Sequence, residues 1–212
     1  MLYGVIINGI NTLDEYGLLL CADLKISEPK LKENRVDIPG GDGSLNMSYA
    51  PQGIAVYYDR EITFTLFKSM GEEERDELVT TLRNAWHGLE VDLILPNDTR
   101  HYWHGVISFG DISDYNAGKI PVKMTAEPYK LKTTLTSVTQ QGEGTIKLTN
   151  ERRPAVPAIS ATGSLTLAWS GNSVAIDAGE QIIPQLVLLQ GDTEITVTGS
   201  ATVTFTYREG SL

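Results

Sequence analysis

The sequence predicts a mainly β protein built as two domains, and three observations carry that expectation. Short alternations of apolar and polar residues recur along the 212 residues, as in Glu61-Ile62-Thr63-Phe64-Thr65-Leu66, where Ile62, Phe64 and Leu66 share one face. Only the stretch from Ser69 to Gly88 keeps a helical period. From Glu151 onward lysine disappears, and short apolar runs are separated by Gly-Asn and Gly-Asp turns. The first part therefore reads as α+β, with one helix covering a mostly antiparallel sheet, and the second as a small β-sandwich or jelly roll. The boundaries are set at 1–135 for the N-terminal domain with an arm at 35–60, 136–150 for a linker, and 151–212 for the C-terminal domain.

Taken in order, Leu2 to Ile7 form an apolar run, and Asn8-Gly9 with Asn11-Thr12 supplies turn chemistry. Tyr16 to Ile26 resumes as strand, with Leu20, Ala22 and Leu24 on one side. Lys25, Glu28, Lys30, Lys32 and Glu33 make a solvated, mixed-charge connection. The helix opens with Ser69-Met70-Gly71-Glu72, the spacing of a capping box. Its first turns carry Glu72, Glu73, Glu74, Asp76 and Glu77, where the helix dipole favours negative charge; the run reads as helix-end electrostatics and not as a metal or catalytic cluster. Leu78, Leu82 and Trp86, joined by Val79 and Ala85, give the buried stripe, and Gly88 caps the end. Val91 to Leu95 and Tyr102 to Phe109 flank the Pro96-Asn97-Asp98 turn as a hairpin, and Lys119 to Thr125 is a further strand.

Leu131 to Glu143 is rich in Thr, Ser, Gln and Gly and reads as connection. In the second domain Leu165, Leu167 and Trp169 alternate with smaller residues, as do Ile195 with Val197 and Val203 with Phe205 and Tyr207. These are its expected core.

Arg35 to Arg60, which leads into the strand at Glu61–Leu66, does not fit either domain's interior. Pro39-Gly40-Gly41-Asp42-Gly43-Ser44 is turn-rich, and Leu45 to Arg60 is too polar and too broken by Gly and Pro to form a helix or a core. Connections longer than about 12–15 residues are usually functional or disordered. Disorder fits poorly, because the stretch keeps Leu45, Met47, Tyr49, Ile54, Val56, Tyr57 and Tyr58. An arm that buries these side chains on another subunit is the better reading. Asp37, Pro39, Gly40, Gly41, Asp42 and Gly43 shape it, Leu45, Tyr49, Val56, Tyr57 and Tyr58 anchor it, and Asp37, Asp42, Asp59 and Arg60 fix register by charge.

The same residues carry a resemblance. Val36-Asp37-Ile38-Pro39-Gly40-x-Asp42-Gly43-Ser44-Leu45, followed by Asp59-Arg60-x-Ile62-Thr63-Phe64, resembles the N-terminal signature of the distal tail (Dit) family of siphophage-type tails in phages and prophages of Gram-positive bacteria. Asn150-Glu151-Arg152-Arg153-Pro154-Ala155-Val156-Pro157 resembles that family's junction into its second domain, and Val203 to Leu212 its C-terminus. The resemblance implies a tail-tube-like split barrel followed by a galectin-like sandwich. It implies a baseplate-hub subunit whose six copies ring the tail tip, with partners in the tail tube protein on one face and a tail-associated lysin, tip or receptor-binding protein on the other. The expected location is the virion tail tip, after assembly in the bacterial cytoplasm. The outer domain's likeness to glycan-binding modules opens a second reading, a carbohydrate-binding tail module for host wall glycans, with Trp169, Tyr207 and Trp103 as stacking faces.

Composition narrows the remaining classes. A net charge of −10 opposes binding to nucleic acid or anionic membrane. The opening MLYGVIINGI lacks a charged n-region and is too short for a secretory core, and no stretch approaches a membrane span. One cysteine, Cys21, leaves no internal disulfide and no cysteine metal cluster. His101 and His104 lie three apart on an expected strand and so point to opposite faces, and His87 has no reason to join them. Gly40, Gly41 and Gly43 precede neither a Lys-Ser/Thr pair nor a helix, so they make no phosphate loop. Carboxylates such as Asp111 and Asp114 form no recognisable catalytic pair in sequence. The expectation is a non-enzymatic protein without cofactor or metal.

Overall fold

The computed structural model describes residues 3–48, 54–110 and 118–212. The fold is mainly β, and the chain divides into two compact units, Met1–Pro128 and Tyr129–Leu212.

In the first unit the elements run β1 (Ile6–Ile7), β2 (Ile10–Asn11), α1 (Thr12–Tyr16), β3 (Leu19–Leu20), β4 (Lys25–Ile26), β5 (Arg35–Asp37), β6 (Ser44–Asn46), β7 (Arg60–Phe67), α2 (Glu72–Trp86), β8 (Glu90–Leu95), β9 (Asp98–Phe109) and β10 (Lys119–Ala126). The main sheet is antiparallel in the order β2-β1-β8-β9-β10-β7-β3, with β4 also on β7. Alternation on β7 buries Ile62, Phe64 and Leu66, which meet Met124, Val122 and Ile120 of β10 in register. Helix α2 lays Val79, Leu82 and Trp86 on this core, and Trp86 takes the ring of Tyr16 edge-on at 5.9 Å.

Three local expectations need correction here. Thr12–Tyr16 is a short helix, not part of a turn and strand: Asn11 caps it by accepting from the Leu13 amide, and Gly17 ends it at φ 69°. Thr12 is fully buried because its hydroxyl accepts from the Val5 amide and donates to the Leu18 carbonyl. Helix α2 starts at Glu72 behind Gly71, with no side-chain cap, so Ser69 does not form the capping box. On the same helix Ala85 is exposed, while Arg75 is buried against Asp76.

The second unit runs β11 (Lys130–Lys132), β12 (Thr136–Gln141), β13 (Gly144–Asn150), β14 (Ala158–Ala161), β15 (Leu165–Trp169), β16 (Asn172–Ile176), β17 (Gly179–Ile182), β18 (Gly191–Thr198), β19 (Thr202–Tyr207) and β20 (Gly210–Ser211). Two four-stranded sheets, β12-β19-β14-β17 and β13-β18-β15-β16, enclose one core, the two-layer sandwich the alternations imply. Leu165, Leu167, Trp169, Ile195, Val197, Val203, Phe205 and Tyr207 all lie in that core.

The span 136–150, read as a linker, is instead two full strands, β12 on β19 and β13 on β18. The polar composition misled because β12 is an edge strand with Ser137, Thr139 and Gln141 turned to solvent. Threonine suits such a half-wet pleated surface. The second unit therefore begins at Tyr129, and its two sheets need the strands that the shorter 151–212 boundary leaves out.

A polar knot ties the ends of this sandwich. Lys132 Nζ reaches Glu151 at 2.9 Å and Glu209 at 3.1 Å, and the buried Glu209 also accepts from the Thr136 hydroxyl at 2.6 Å. Hydrogen bonding to Glu151 raises the Lys132 pKa against a smaller opposing effect of burial, with Glu209 adding to the rise. Burial, with help from the Glu209 carboxylate, raises that of Tyr207, whose hydroxyl donates to the Thr149 carbonyl at 2.6 Å. Both groups hold protons more tightly folded than unfolded, so their contribution is whole below their ordinary values of 10.5 and 10.0. Urea midpoints of the full chain are expected to be insensitive to these groups below pH 10 and to fall as pH rises above it. Tyr207→Phe is expected to cost about 1 kcal/mol by the same measurement at neutral pH.

Candidate self-association arm

The arm is a hairpin that stands apart from the main sheet. β5 and β6 pair Arg35 with Asn46, Val36 with Leu45 and Asp37 with Ser44, and among the described residues this two-stranded sheet pairs with no other strand. Between them Ile38-Pro39-Gly40-Gly41 closes a tight turn: the Gly41 amide donates to the Ile38 carbonyl at 3.1 Å, and Gly40 sits at φ 75°. Pro at the second position and Gly at the third is the residue pattern of a type II turn. Gly43, at φ 78°, is the second position that a side chain would strain, and Asp42 between the glycines is exposed.

The ladder extends below the hairpin through Asn34. Its carbonyl accepts from the Met47 amide at 2.7 Å, and its own amide donates to the buried Ser48 hydroxyl at 2.8 Å. Lower still, the outgoing chain meets the returning one at Leu31 and Tyr57, flanked by Tyr58 N to Lys30 O at 2.8 Å and Lys32 N to Val56 O at 2.8 Å. Lys30 and Lys32 place their ammonium groups 6.0 and 5.3 Å from the Tyr58 ring centroid. Such contacts tie the root of the arm together.

What the arm leaves open is its apolar surface. Val36 is 52 % exposed, Ile38 50 %, Leu45 55 % and Tyr58 49 %. Val56 is also exposed and Tyr57 half-buried. Tyr49, expected as an anchor, lies outside the described residues. Asp37 and Asp59 are exposed, so charge remains available along the arm.

Arg60 does not belong with these charges. It is 8 % exposed, its Nε donates to the Ser27 carbonyl at 2.7 Å, and its guanidinium stacks over the Trp103 ring at 4.7 Å. Burial lowers its pKa, and Glu28 opposes that shift. Ser27 closes the clamp: its amide donates to the Glu61 carbonyl at 2.8 Å, and its hydroxyl accepts from the Glu61 amide at 2.8 Å. Ser27 precedes the arm and Arg60 follows it, so this clamp fixes both ends of the excursion to the sheet. The lone arginine gave no sequence signal for this, because Trp103 lies 43 positions away and only the sheet brings it close.

The other singled-out residues fall elsewhere. His101 pairs with Asp98 at 2.8 Å and His104 with Asp92 at 2.8 Å, two separate carboxylates. No group of three or more potential metal ligands occurs among the described residues, nor any helix long and apolar enough to cross a membrane. Asp111 and Asp114 lie outside the described residues. Trp103, Trp169 and Tyr207 are all buried in their own cores, so none of them offers the open ring face that sugar stacking needs. Trp169 only reaches the floor of a polar depression of about 800 Å³ between Ser170, Asp192 and Glu194.

The chain superposes on the crystal structure of SPP1 Dit (gp 19.1), a protein described as a paradigm of the hub adsorption apparatus in phages infecting Gram-positive hosts, with TM-score 0.68 over 99 % of both chains. This chain has the Dit fold. Sequence identity is 14 %, no family model matches the sequence, and no curated protein does. The Dit fold accounts for the order of the two units, a one-helix antiparallel sheet followed by a sandwich.

The clamp at the arm's root makes a direct prediction. Arg60→Ala is expected to destabilise the full chain by about 2 kcal/mol in urea unfolding, since it removes a charged hydrogen bond and a desolvated stack. Arg60→Lys is expected to recover only part of that, because an ammonium keeps the charge without the planar fork.

Proposed function

We propose that this protein is a structural subunit of a phage-type tail, a distal tail protein whose copies form a ring joining the tail tube to the tip apparatus. The exposed hairpin carries this reading. A two-stranded hairpin is marginally stable in water, and exposed Val36, Ile38 and Leu45 on it are a liability unless another surface covers them. Within one chain the described residues leave them open. A copy of the same chain is the simplest cover, and the Dit fold over nearly the full length supports a tail role.

Contacts made by an arm reaching a neighbour are heterologous, and they close into a ring when the rotation divides a full turn. Six copies is the number that the resemblance of the arm motif implies. One ring face would meet the tail tube protein and the other a tail-associated lysin, tip or receptor-binding protein. Charge fits this reading: −10 per chain favours a protein partner over nucleic acid. The reading assigns the protein to the virion tail tip and gives it no catalysis and no cofactor.

The experiment is multi-angle light scattering of the purified chain, with negative-stain images of the same sample. A ring with a central hole is expected for the native sequence. Val36→Asp with Leu45→Asp is expected to weaken assembly about a hundredfold or more, because each aliphatic side chain buried at a contact is worth about 1.5–3 kcal/mol. Circular dichroism should stay native, since both residues are exposed in the single chain. A native protein that remains monomeric at high concentration would contradict the proposal.

A further inference from the structure

Alternation along β8 turns Glu90 and Asp92 outward, and Ile94 is the next residue on that same outer face. An isoleucine there breaks a polar series. Its register partner on β1 is Ile6, and both are only half-buried. With Tyr3, Leu13 of α1 and Pro96, this pair lines a groove of about 240 Å³ that contains no charged side chain. The groove lies below the roughly 300–1,000 Å³ usual for small-molecule pockets, and its apolar lining offers few polar groups to orient such a ligand.

We propose that this groove receives the hairpin of an adjacent copy, with Val36, Ile38 or Leu45 seated between Ile6, Leu13 and Ile94. The inference rests on the ring reading above and names its acceptor. Two copies each carrying −10 repel, so a contact between them is favoured where neither side presents charge. The groove meets that condition, and so do the three exposed side chains of the hairpin. Placement agrees as well. The hairpin departs from the β4–β7 flank, where Ser27 and Arg60 clamp it, and the groove lies on β1 and β8, with β9 and β10 between them in the sheet. Donor and acceptor are therefore different patches of one unit, as a head-to-tail ring requires.

The test replaces Leu45 in the full chain with the photo-crosslinking amino acid benzoylphenylalanine, irradiates the purified protein, and maps adducts by mass spectrometry. Light scattering before irradiation reports assembly independently. Adducts on the segments holding Leu13 or Ile94 to Thr99, in species of twice the chain mass or more, are the expected result. Ile94→Glu should then reduce those adducts at least tenfold and raise the concentration needed for assembly, with an unchanged circular dichroism spectrum. An assembled protein whose adducts fall on any other segment overturns the groove and leaves the ring. A protein that does not assemble overturns both.

Discussion

The architecture of the first unit turns on how a long excursion is held at its base. Between Ser27 and Arg60 the chain leaves the sheet and returns, and what fixes both ends is one guanidinium sandwiched between a carbonyl and an indole. A buried cation is costly unless its hydrogen bonds and contacts replace water. Here the Ser27 carbonyl and the Trp103 face do that, at the edge of a core that β7 and β10 already close. A rigid base matters because the hairpin above it has only three paired residues per strand and little of its own to hold it.

That division of labour explains why an acidic protein would present an apolar arm at all. Under the proposed assembly, the charge would act between copies at long range, and short-range apolar burial would select where they touch. The arm offers a two-stranded edge and, among its charged residues, the exposed aliphatic side chains of Val36, Ile38 and Leu45, the chemistry of strand addition. The second unit is built differently. Its Trp169, Phe205 and Tyr207 fill its own core, and the Lys132, Glu151 and Glu209 knot closes its ends.

The sequence by itself determined what depends on local pattern. Strict alternation marked β7, β10, β15 and β19, and a four-residue stripe marked α2, because burial on one face writes its period directly into the chain. Pro39, Gly40 and Gly43 announced the arm's turn, since only particular residues accept those backbone angles. Tertiary structure alone decided the rest. Thr12–Tyr16 is helical because a buried threonine bridges Val5 and Leu18, β12 is a strand because β19 lies beside it, and Arg60 turns inward because Trp103 arrives from a distant strand. The strand and the arginine depend on partners far along the chain, and the threonine on residues six and seven positions away; a residue's neighbours in space are not written in its neighbours in sequence.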